Sequence, residues 1–414
     1  MGQLFTKAVR IIKIHGIMGF LEYLYLFIDR YVVLRKLKYL ETHCYKTKFS
    51  GRRGDGETKI LFFSGCDSEA VRRYRVTNVV DILNLDKQKA IILSSKKIKD
   101  TIGHLHNFKV VVFSRLGMSE INRRLISIMQ RFGIICVFEI DDYLFDEKMS
   151  PYIDAIGQSD RSTQRQYLNL IKNYRGMMLA CGHFITSTNF LADRGKEMNR
   201  KTHIIRAGLN DQQIAIAQTI LKEVRIKGPK IVTLGYFSGS YTHNADFKTI
   251  VSILKQILQK YEHVNLNLCG CISIPLGLQE FKHRIKLVSF VRWEKLPYNI
   301  AKVDINLVPL EYNNPFCNGK SEIKYLEAGI LAIPTIATAT DTYRCVIKQG
   351  ENGFIACDEK EWEKYLMLLI ENRKLREEMG LNARQHILEK YTPATQKDQI
   401  KRVFENILND RATK

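Results

Sequence analysis

The stretch NGKSEIKYLEAG carries a serine, a lysine and a glutamate at intervals of three residues, Ser321, Lys324 and Glu327. Serine is a favourable N-cap, so the sequence predicts a helix that begins at Ser321 and carries Lys324 and Glu327 on one face. A lysine adds a full positive charge for a phosphate, and a carboxylate accepts paired hydrogen bonds from neighbouring hydroxyl groups. These residues predict a site for a diphosphate joined to sugars. The alternative is a surface ion pair that contributes little to stability.

A run of small residues precedes a second predicted helix, in the stretch YFSGSYTHNADF. Ser238, Gly239 and Ser240 follow a predicted strand, and the helix is predicted to begin near Asp246. Small side chains let the backbone N–H groups of such a turn approach a phosphate closely. His243 lies beside the turn and can donate a hydrogen bond to an anion. The stretch fits neither the dinucleotide-binding fingerprint nor the P-loop pattern.

Basic residues follow apolar runs in the first half of the chain. Gly65 ends the run KILFFSG, and the segment SEAVRRYR after it contains Arg72, Arg73 and Arg75. We expect these arginines to face a binding cleft; the alternative is that they are ordinary solvated side chains. Arg115 stands in a similar place, at the end of the run KVVVFSR.

No metal site is predicted. The nine cysteines include no CxxC pair, and most lie within apolar runs, so we expect buried free thiols in a reducing compartment. The acidic stretch EIDDYLFD contains Asp141 and Asp142. We interpret this pair as the end of a strand with local hydrogen bonds, not as metal ligands.

Short apolar runs alternate with longer amphipathic segments from Lys59 onward. Near-continuous apolar strands separated by helices indicate parallel sheets covered on both faces. The pattern restarts near residue 230, so the sequence predicts an α/β fold with two doubly wound, Rossmann-like domains that face a cleft. Six strands are predicted in each half, at 59–65, 90–95, 109–115, 134–141, 183–188 and 202–208, then at 230–239, 264–270, 285–291, 304–310, 333–338 and 353–357.

The domain boundaries follow from this pattern. The first Rossmann-like domain is predicted over 58–210 and the second over 211–392, with a hinge within 209–229. The end of the chain is predicted to be helical over 358–391 and again over 393–414, the latter a closing helix that can fold back across the hinge. Each sheet offers a ligand crevice at the carboxyl ends of its strands.

Residues 1–57 differ from the rest of the chain. Glu22, Asp29 and Arg30 interrupt their apolar stretch, so no run reaches the roughly 20 uncharged residues that cross a bilayer. Leucine and aromatic residues beside many lysines and arginines predict a basic amphipathic helical segment on an anionic membrane surface. The alternative is a helical hairpin packed on the domain behind it.

The composition favours an anionic partner. The 414 residues include 64 lysines and arginines against 43 acidic residues, a net charge of +21. Such a surplus suits nucleic acid, an acidic membrane surface or phosphorylated substrates. Nucleic acid is not the expected partner, because the sequence has no aromatic RNA-binding platform, helix-turn-helix or zinc pattern. No cleavable signal peptide is recognised, so a cytoplasmic location is expected.

The second half of the chain resembles the nucleotide-binding domain of the GT-B glycosyltransferases, of the retaining family 4 type. The stretches that carry the resemblance are SGSYTHNADF, FVRWEKLPYNIAKVDINLVPL, KSEIKYLEAGILAIPTIAT, GENGFIACDEKEW and LREEMGLNARQHILEKYT. In the first half, VVFSRLG and VFEIDDYLFD resemble members that act on bacterial surface polysaccharides.

The resemblance implies a metal-independent, cofactor-free hexosyltransferase in which the nucleotide-sugar donor is a substrate. The implied acceptor is a glycan or a lipid-linked molecule, and the basic segment 1–57 predicts a location on the inner face of the cell membrane. The lysine and the small-residue turn would neutralise the diphosphate, the glutamate would hold the ribose hydroxyls, and the main chain near Val291 would meet the base. Lys324 and Glu327 are the implied catalytic residues. The implied donor site comprises Ser238, Gly239, Ser240, His243, Val291, Leu296, Ser321, Lys324 and Glu327, and the acceptor-side candidates are Gly65, Arg75 and Arg115.

Two positions depart from the family pattern. The family often has another glutamate eight residues before the one at 327, and here that place is Gly319. Ala332 stands near the place of a usual glycine. Two other functions remain open: a sugar-nucleotide 2-epimerase of the same architecture, and a basic membrane- or nucleic-acid-binding protein without catalysis.

Overall fold

The fold is described from a computed structural model of the chain. It describes residues 24, 31–35, 37–38, 59–66, 69–85, 89–95, 102–153, 156, 159–223, 231–240 and 244–410.

The first sheet has six parallel strands, β1 to β6, in the order β2-β1-β3-β4-β5-β6. Its strands are rich in valine, isoleucine and phenylalanine, and β3 is buried along its whole length, as expected for a sheet covered on both faces. The chain reverses its direction of winding between β1 and β3, which creates a crevice there. All six predicted strands are confirmed: Lys59–Ser64, Lys89–Ser94, Val110–Ser114, Ile135–Glu139, His183–Thr186 and Lys201–Ile204.

The second sheet also has six parallel strands, β7 to β12, in the order β12-β11-β10-β7-β8-β9. Counted from its own first strand, this is the 3-2-1-4-5-6 order of doubly wound nucleotide-binding folds, and its switch point lies between β7 and β10. The six predicted strands are again confirmed: Val232–Ser238, Val264–Gly270, Ile285–Val288, Ile305–Val308, Thr335–Thr338 and Phe354–Ala356. The prediction of two doubly wound sheets is therefore correct.

Helices connect the strands and cover the sheets. The α-helices span Glu69–Arg72, Asn78–Leu85, Glu120–Arg131, Arg161–Ala180, Asn189–Glu197, Asp211–Glu223, Asn244–Lys248, Val251–Lys260, Leu296–Ile300, Pro315–Asn318, Ile323–Gly329, Asp341–Val346, Glu359–Glu371, Arg373–Lys390 and Pro393–Asn409. A π-helical turn spans Arg73–Thr77, and 3-10 helices span Ile102–Asn107, Glu147–Tyr152 and Leu276–Arg284.

The closing helices differ in one respect from the prediction. The segment predicted as one helix over 358–391 is two helices, because Asn372 ends the first and its side chain accepts a hydrogen bond from the N–H of Leu375 to cap the second. The last helix, Pro393–Asn409, returns to the first domain, where Phe404 and Ile407 are buried in the core beneath the first sheet. The rings of Phe404 and Phe62 lie 6.1 Å apart. The expected return across the hinge is confirmed.

The described part of the N-terminal segment is helical at residues 24, 31–35 and 37–38. Val33 and Leu37 are buried in the first domain's core, which favours the alternative that this part packs on the domain behind it. Leu24, Tyr31 and Val32 are exposed. The remainder of residues 1–57 lies outside the described residues, so binding to a membrane surface stays a prediction. Within the described ranges, no helix combines the length and apolar character needed to span a membrane.

Candidate functional site

Glu327 lies where the two domains meet. Its helix, Ile323–Gly329, belongs to the second domain, but its carboxylate Oε1 accepts a hydrogen bond of 2.8 Å from the hydroxyl of Tyr74 in the first domain. Gln213 donates in turn from Nε2 to the Tyr74 oxygen, also over 2.8 Å. The predicted binding glutamate therefore faces the gap between the domains.

Lys324 stands one turn earlier on the same helix and has no hydrogen-bond partner among the described residues. Its Nζ is buried and lies 4.6 Å from the centre of the Tyr236 ring. Tyr236 belongs to β7, the strand that leads directly into the Ser238–Ser240 turn. The lysine thus brings a buried ammonium without a hydrogen bond among the described residues to the side of the cleft where the sequence predicts the diphosphate.

Burial shifts the protonation equilibria of both residues. Desolvation lowers the pKa of Lys324 to about 8, and it raises the pKa of Glu327 to about 6. At neutral pH most molecules still carry a charged lysine and a charged carboxylate here. The two charges attract each other, but desolvation is the larger effect on both pKa values, and an anion with attached hydroxyl groups could add hydrogen bonds to both groups.

A second lysine and an aspartate form a pair beside this site. The Asp246 carboxylate accepts a hydrogen bond of 2.6 Å from Lys320 Nζ, and it also accepts bonds from the Cys317 thiol and the Glu311 N–H. Asp246 was predicted only as the start of a helix, and Lys320 was not predicted at all. Lys320 precedes the helix that starts at Ile323, so helical spacing does not mark it, and its contact with Asp246 depends on the tertiary fold.

Asp246, Glu311 and Cys317 have ligand atoms within 4.8 Å of one another, the spacing of a metal site. The donors do not suit a metal ion. The Lys320 ammonium already holds Asp246, and burial raises the pKa of the Cys317 thiol to about 12, far from the thiolate that metals prefer. The three residues fit a hydrogen-bonded cluster that fixes Lys320.

The helix carrying Lys324 and Glu327 does not begin as predicted. Ser321 is not its N-cap; the cap position is Glu322, whose side chain makes no capping hydrogen bond. Instead, the buried Glu322 carboxylate accepts a hydrogen bond of 3.3 Å from Arg206 of the first domain. Because the helix starts only at Ile323 and has seven residues, the positive charge at this place comes chiefly from the Lys324 side chain.

The small-residue turn is placed at the end of β7. Ser238 Oγ donates to the carbonyl of Ser240 over 2.8 Å, and Gly239 is exposed with open space around it. Gly270, which the sequence analysis missed, packs against this turn with a φ of +106°, and a Cβ there would lie 1.9 Å from the Ser238 carbonyl oxygen. The sequence signal for this contact was the glycine at the end of the apolar run that forms β8. His243 lies outside the described residues.

The loop predicted to meet the base contacts the first domain. Val291 and Leu296 are partly buried against the second domain's core. Between them stands Trp293, and the guanidinium carbon of Arg73 lies 3.3 Å from its ring centre. This stacking joins the domains through a cation–π contact. The expectation that Arg73 faces the cleft holds, whereas Trp293 was missed because only the three-dimensional fold brings the two residues together.

Arg75 was predicted on the acceptor side, and this prediction is wrong. The residue is 2% exposed. Its Nε lies 2.7 Å from Glu139 Oε1, and its Nη1 donates over 2.6 Å to the carbonyl of Ile205. The π-helical turn directs Arg73 and Tyr74 towards the second domain and Arg75 into the first domain's interior, where a buried carboxylate needs a partner.

The other two acceptor-side candidates lie at the carboxyl ends of neighbouring strands. Arg115 follows β3, adopts a φ of +47°, and pairs with Asp141 and Asp142 after β4. Gly65 follows β1 and lies against the Arg115 backbone, where a Cβ would come within 2.3 Å of the carbonyl oxygen. The aspartates therefore hold Arg115 in place at the switch point of the first sheet.

Gly319, the departure from the family pattern, lies at a contact between domains. A Cβ at this position would lie 3.0 Å from Leu191 Cδ2 and 3.4 Å from the Cβ of Tyr143, both in the first domain. A side chain as large as glutamate would meet these residues in the present arrangement of the domains.

One family model matches the second half of the chain. Residues 218–386 match the family described as glycosyl transferases group 1, and this range contains Lys324 and Glu327. No curated protein matches the sequence closely enough to count as a relative.

Solved structures resemble the whole two-domain fold. The sucrose-phosphate synthase from Thermosynechococcus elongatus has a TM-score of 0.59 at 12% identity and covers 86% of this chain and 100% of its own. A glycosyltransferase from Rickettsia africae scores 0.58 at 12% identity, with 86% and 99% covered. Anabaena HepE in complex with UDP-glucose scores 0.56 at 13% identity, with 84% and 100% covered. The fold is GT-B, and together with the family match it supports a GT-B glycosyltransferase.

Proposed function

We propose that the protein transfers a hexose from a nucleotide sugar to a glycan or lipid-linked acceptor in the synthesis of a bacterial cell-surface polysaccharide. The observation that carries the proposal is the buried Lys324 Nζ, which has no hydrogen-bond partner among the described residues and shares a helix face with Glu327 at the interdomain gap. An ammonium group without a partner in a water-poor site is suited to an anion that arrives with the substrate.

The donor would bind along the second domain. In the proposal, Lys324 and the Ser238–Ser240 turn contact the diphosphate, Glu327 accepts hydrogen bonds from the ribose hydroxyls, and the loop from Val291 to Leu296 contacts the base. A related fold that was solved with UDP-glucose bound supports uridine nucleotides as the first donors to test. The acceptor would bind against the first domain, near Gly65 and Arg115.

The reaction breaks the bond between the sugar's anomeric carbon and the diphosphate oxygen. The diphosphate leaves with the electron pair, the acceptor hydroxyl oxygen bonds to the anomeric carbon, and the hydroxyl proton passes to the leaving phosphate. A preorganised cation such as Lys324 stabilises the charge that develops on the leaving group without any metal ion. We propose that the anomeric configuration is retained, as in the family that the sequence resembles.

Water must be kept from the activated sugar. The contacts of Tyr74 with Glu327 and of Arg73 with Trp293 join the domains on the donor side of the gap. Such closure excludes water and thereby suppresses hydrolysis of the donor.

The proposed location is the inner face of the cell membrane. The net charge of +21 and the exposed Leu24, Tyr31 and Val32 support contact with an anionic lipid surface. Removal of residues 1–45 should shift the protein from the membrane to the soluble fraction, and an unchanged partition would contradict this location.

The decisive experiment is a panel of nucleotide sugars in a thermal-shift assay, followed by product-release measurements. Replacement of Lys324 or Glu327 by alanine should reduce turnover by about 100-fold or more, because leaving-group or substrate contacts are lost. Lys364→Ala is the matched control, since Lys364 Nζ also lies over a tyrosine ring but on the exposed surface. Undiminished turnover in both cleft variants would overturn the assignment, and isomerisation of a nucleotide sugar without acceptor would identify an epimerase instead.

A further inference from the structure

Tyr74 makes a directed pair of hydrogen bonds between the two domains. The Gln213 amide is oriented, because its Oε1 accepts a bond of 3.1 Å from the N–H of Asn210, which leaves Nε2 to donate to the Tyr74 oxygen. The Tyr74 hydroxyl already accepts this bond, so its own proton is available for Glu327 Oε1 at 2.8 Å.

The position of Tyr74 in the fold is unusual. It lies in a π-helical turn, Arg73–Thr77, between two α-helical segments. Single π-helical turns of this kind occur frequently at functional sites, since they redirect side chains that a regular helix would place elsewhere. Here the turn presents Arg73 and Tyr74 to the second domain, while the chain on either side continues along the first.

The surroundings of Glu327 make the tyrosine hydroxyl its principal hydrogen-bond donor. Tyr74 is buried, and burial holds its pKa well above the ordinary range, so it remains a donor at all working pH values. The other groups that face Glu327 are Lys324 and Arg73, whose positive charges lower its pKa, and the buried Tyr343. Among the described residues, no hydrogen bond reaches Glu327 Oε2.

We infer that Tyr74 is a positioning residue for nucleotide binding: it holds Oε1 of Glu327 and so presents the ionised carboxylate, with Oε2 exposed to the donor's ribose hydroxyls. The inference rests on the proposed function, since it assumes that Glu327 contacts the ribose. It adds that the first domain completes the donor site, so that nucleotide affinity depends on domain closure.

The role of Tyr74 has a pH signature. A hydrogen bond donated to a carboxylate favours its charged form, so loss of the hydroxyl raises the pKa of Glu327 above its present value of about 6. If the ionised carboxylate binds the ribose, affinity falls as the pH drops through this pKa. Tyr74→Phe should therefore move the acidic limb of nucleotide binding to higher pH.

The test is calorimetric titration with UDP, GDP and ADP between pH 5.5 and 8.5, continued with the nucleotide that binds the wild-type protein. For Tyr74→Phe we expect the midpoint of the acidic limb to rise by about one pH unit, which corresponds to a loss of affinity of about fivefold at pH 6 and under twofold at pH 8. The same nucleotide without its 2′-hydroxyl should show a smaller difference between wild type and variant. Tyr325→Phe is the control, because Tyr325 lies on the same helix, is fully buried, and bonds to His386 on the far side from the cleft.

Gln213→Glu provides a second variant that keeps the size of the side chain. A carboxylate at 213 cannot donate to Tyr74 and competes for its proton, so the acidic limb should again move to higher pH. Equal losses of affinity at every pH in Tyr74→Phe, or an unshifted profile in both variants, would overturn the positioning role while Glu327 could still be required. A wild-type protein that binds none of the three nucleotides would instead overturn the proposed function.

Discussion

Two groups of charged residues lie at the carboxyl ends of the two sheets, and they are satisfied to different degrees. In the first domain, Arg75 pairs with Glu139, and Arg115 pairs with Asp141 and Asp142. In the second domain, Lys320 pairs with Asp246, but the buried Lys324 Nζ has no hydrogen-bond partner among the described residues. Both cations of the first group form salt bridges, whereas the second keeps one buried ammonium without a hydrogen bond among the described residues.

This difference separates the cations that stabilise the fold from a cation that is suited to bind a ligand. A buried arginine that pairs with a buried carboxylate offsets the free-energy cost of burying that carboxylate. Removing the arginine leaves the carboxylate buried without a partner. A buried lysine without a partner costs stability in the unliganded protein and is retained where a ligand supplies the counter-charge. Basic residues of the two kinds look alike in the sequence. Replacing them should nevertheless change the stability of the protein in opposite directions.

The largest expected effect is on the paired group. Arg75→Met should lower the free energy of unfolding by about 3–5 kcal/mol, because Glu139 is left buried without its partner. Urea denaturation measures this change. Arg123→Met is the control, since Arg123 forms only an exposed pair with Glu120 and should change stability by less than about 0.5 kcal/mol. A loss in Arg75→Met no larger than in the control would show that the pair is not the structural element described above.

The unpaired lysine should behave in the opposite way. Because the folded-state pKa of Lys324 is lowered to about 8 from 10.5, its charged form costs stability below pH 8, and the cost fades as the pH rises towards 10.5. Lys324→Met should therefore raise the free energy of unfolding of the unliganded protein at pH 7, by on the order of 1–3 kcal/mol. The gain should be smaller at pH 9.5, and nucleotide binding should be lost. A variant less stable than wild type at pH 7 would argue that the lysine is compensated within the protein.

The smallest expected effect is a change in proton binding at Lys324, which can be measured without unfolding the protein. An anion bound beside Lys324 should raise its pKa, so binding of a nucleoside diphosphate at pH 8.5 should take up about half a proton. Calorimetry in two buffers with different ionisation enthalpies measures this uptake. Lys324→Met should abolish it, and equal uptake by both proteins would assign the proton to another group.

Much of the fold could be predicted because its signals are local. Each of the twelve strands is a short apolar run bounded by polar or glycine residues, and both sheets are confirmed at these positions. Two errors lie at helix ends, one beside a contact with the other domain and one at a local cap. Glu322 replaced Ser321 as the cap because Arg206 of the first domain holds its side chain. Asn372 divided a predicted helix because its side chain caps the next one.

The candidate site could be predicted only in part. Lys324 and Glu327 share a helix face because their spacing requires it, and the turn after β7 follows from its small residues. Tyr74 is 253 positions away from Glu327, and no local pattern marks it. The same holds for Arg73 and Trp293, and for Gly270 beside Ser238.

By itself, the sequence determined two parallel sheets and one helix that presents a lysine and a glutamate together, since apolar periodicity and helical spacing act over a few residues. The tertiary structure alone decided which basic residues form salt bridges and which buried ammonium has no hydrogen bond among the described residues. The physical reason is that the energy of a buried charge depends on the groups around it in space, and these come from segments far apart in the chain.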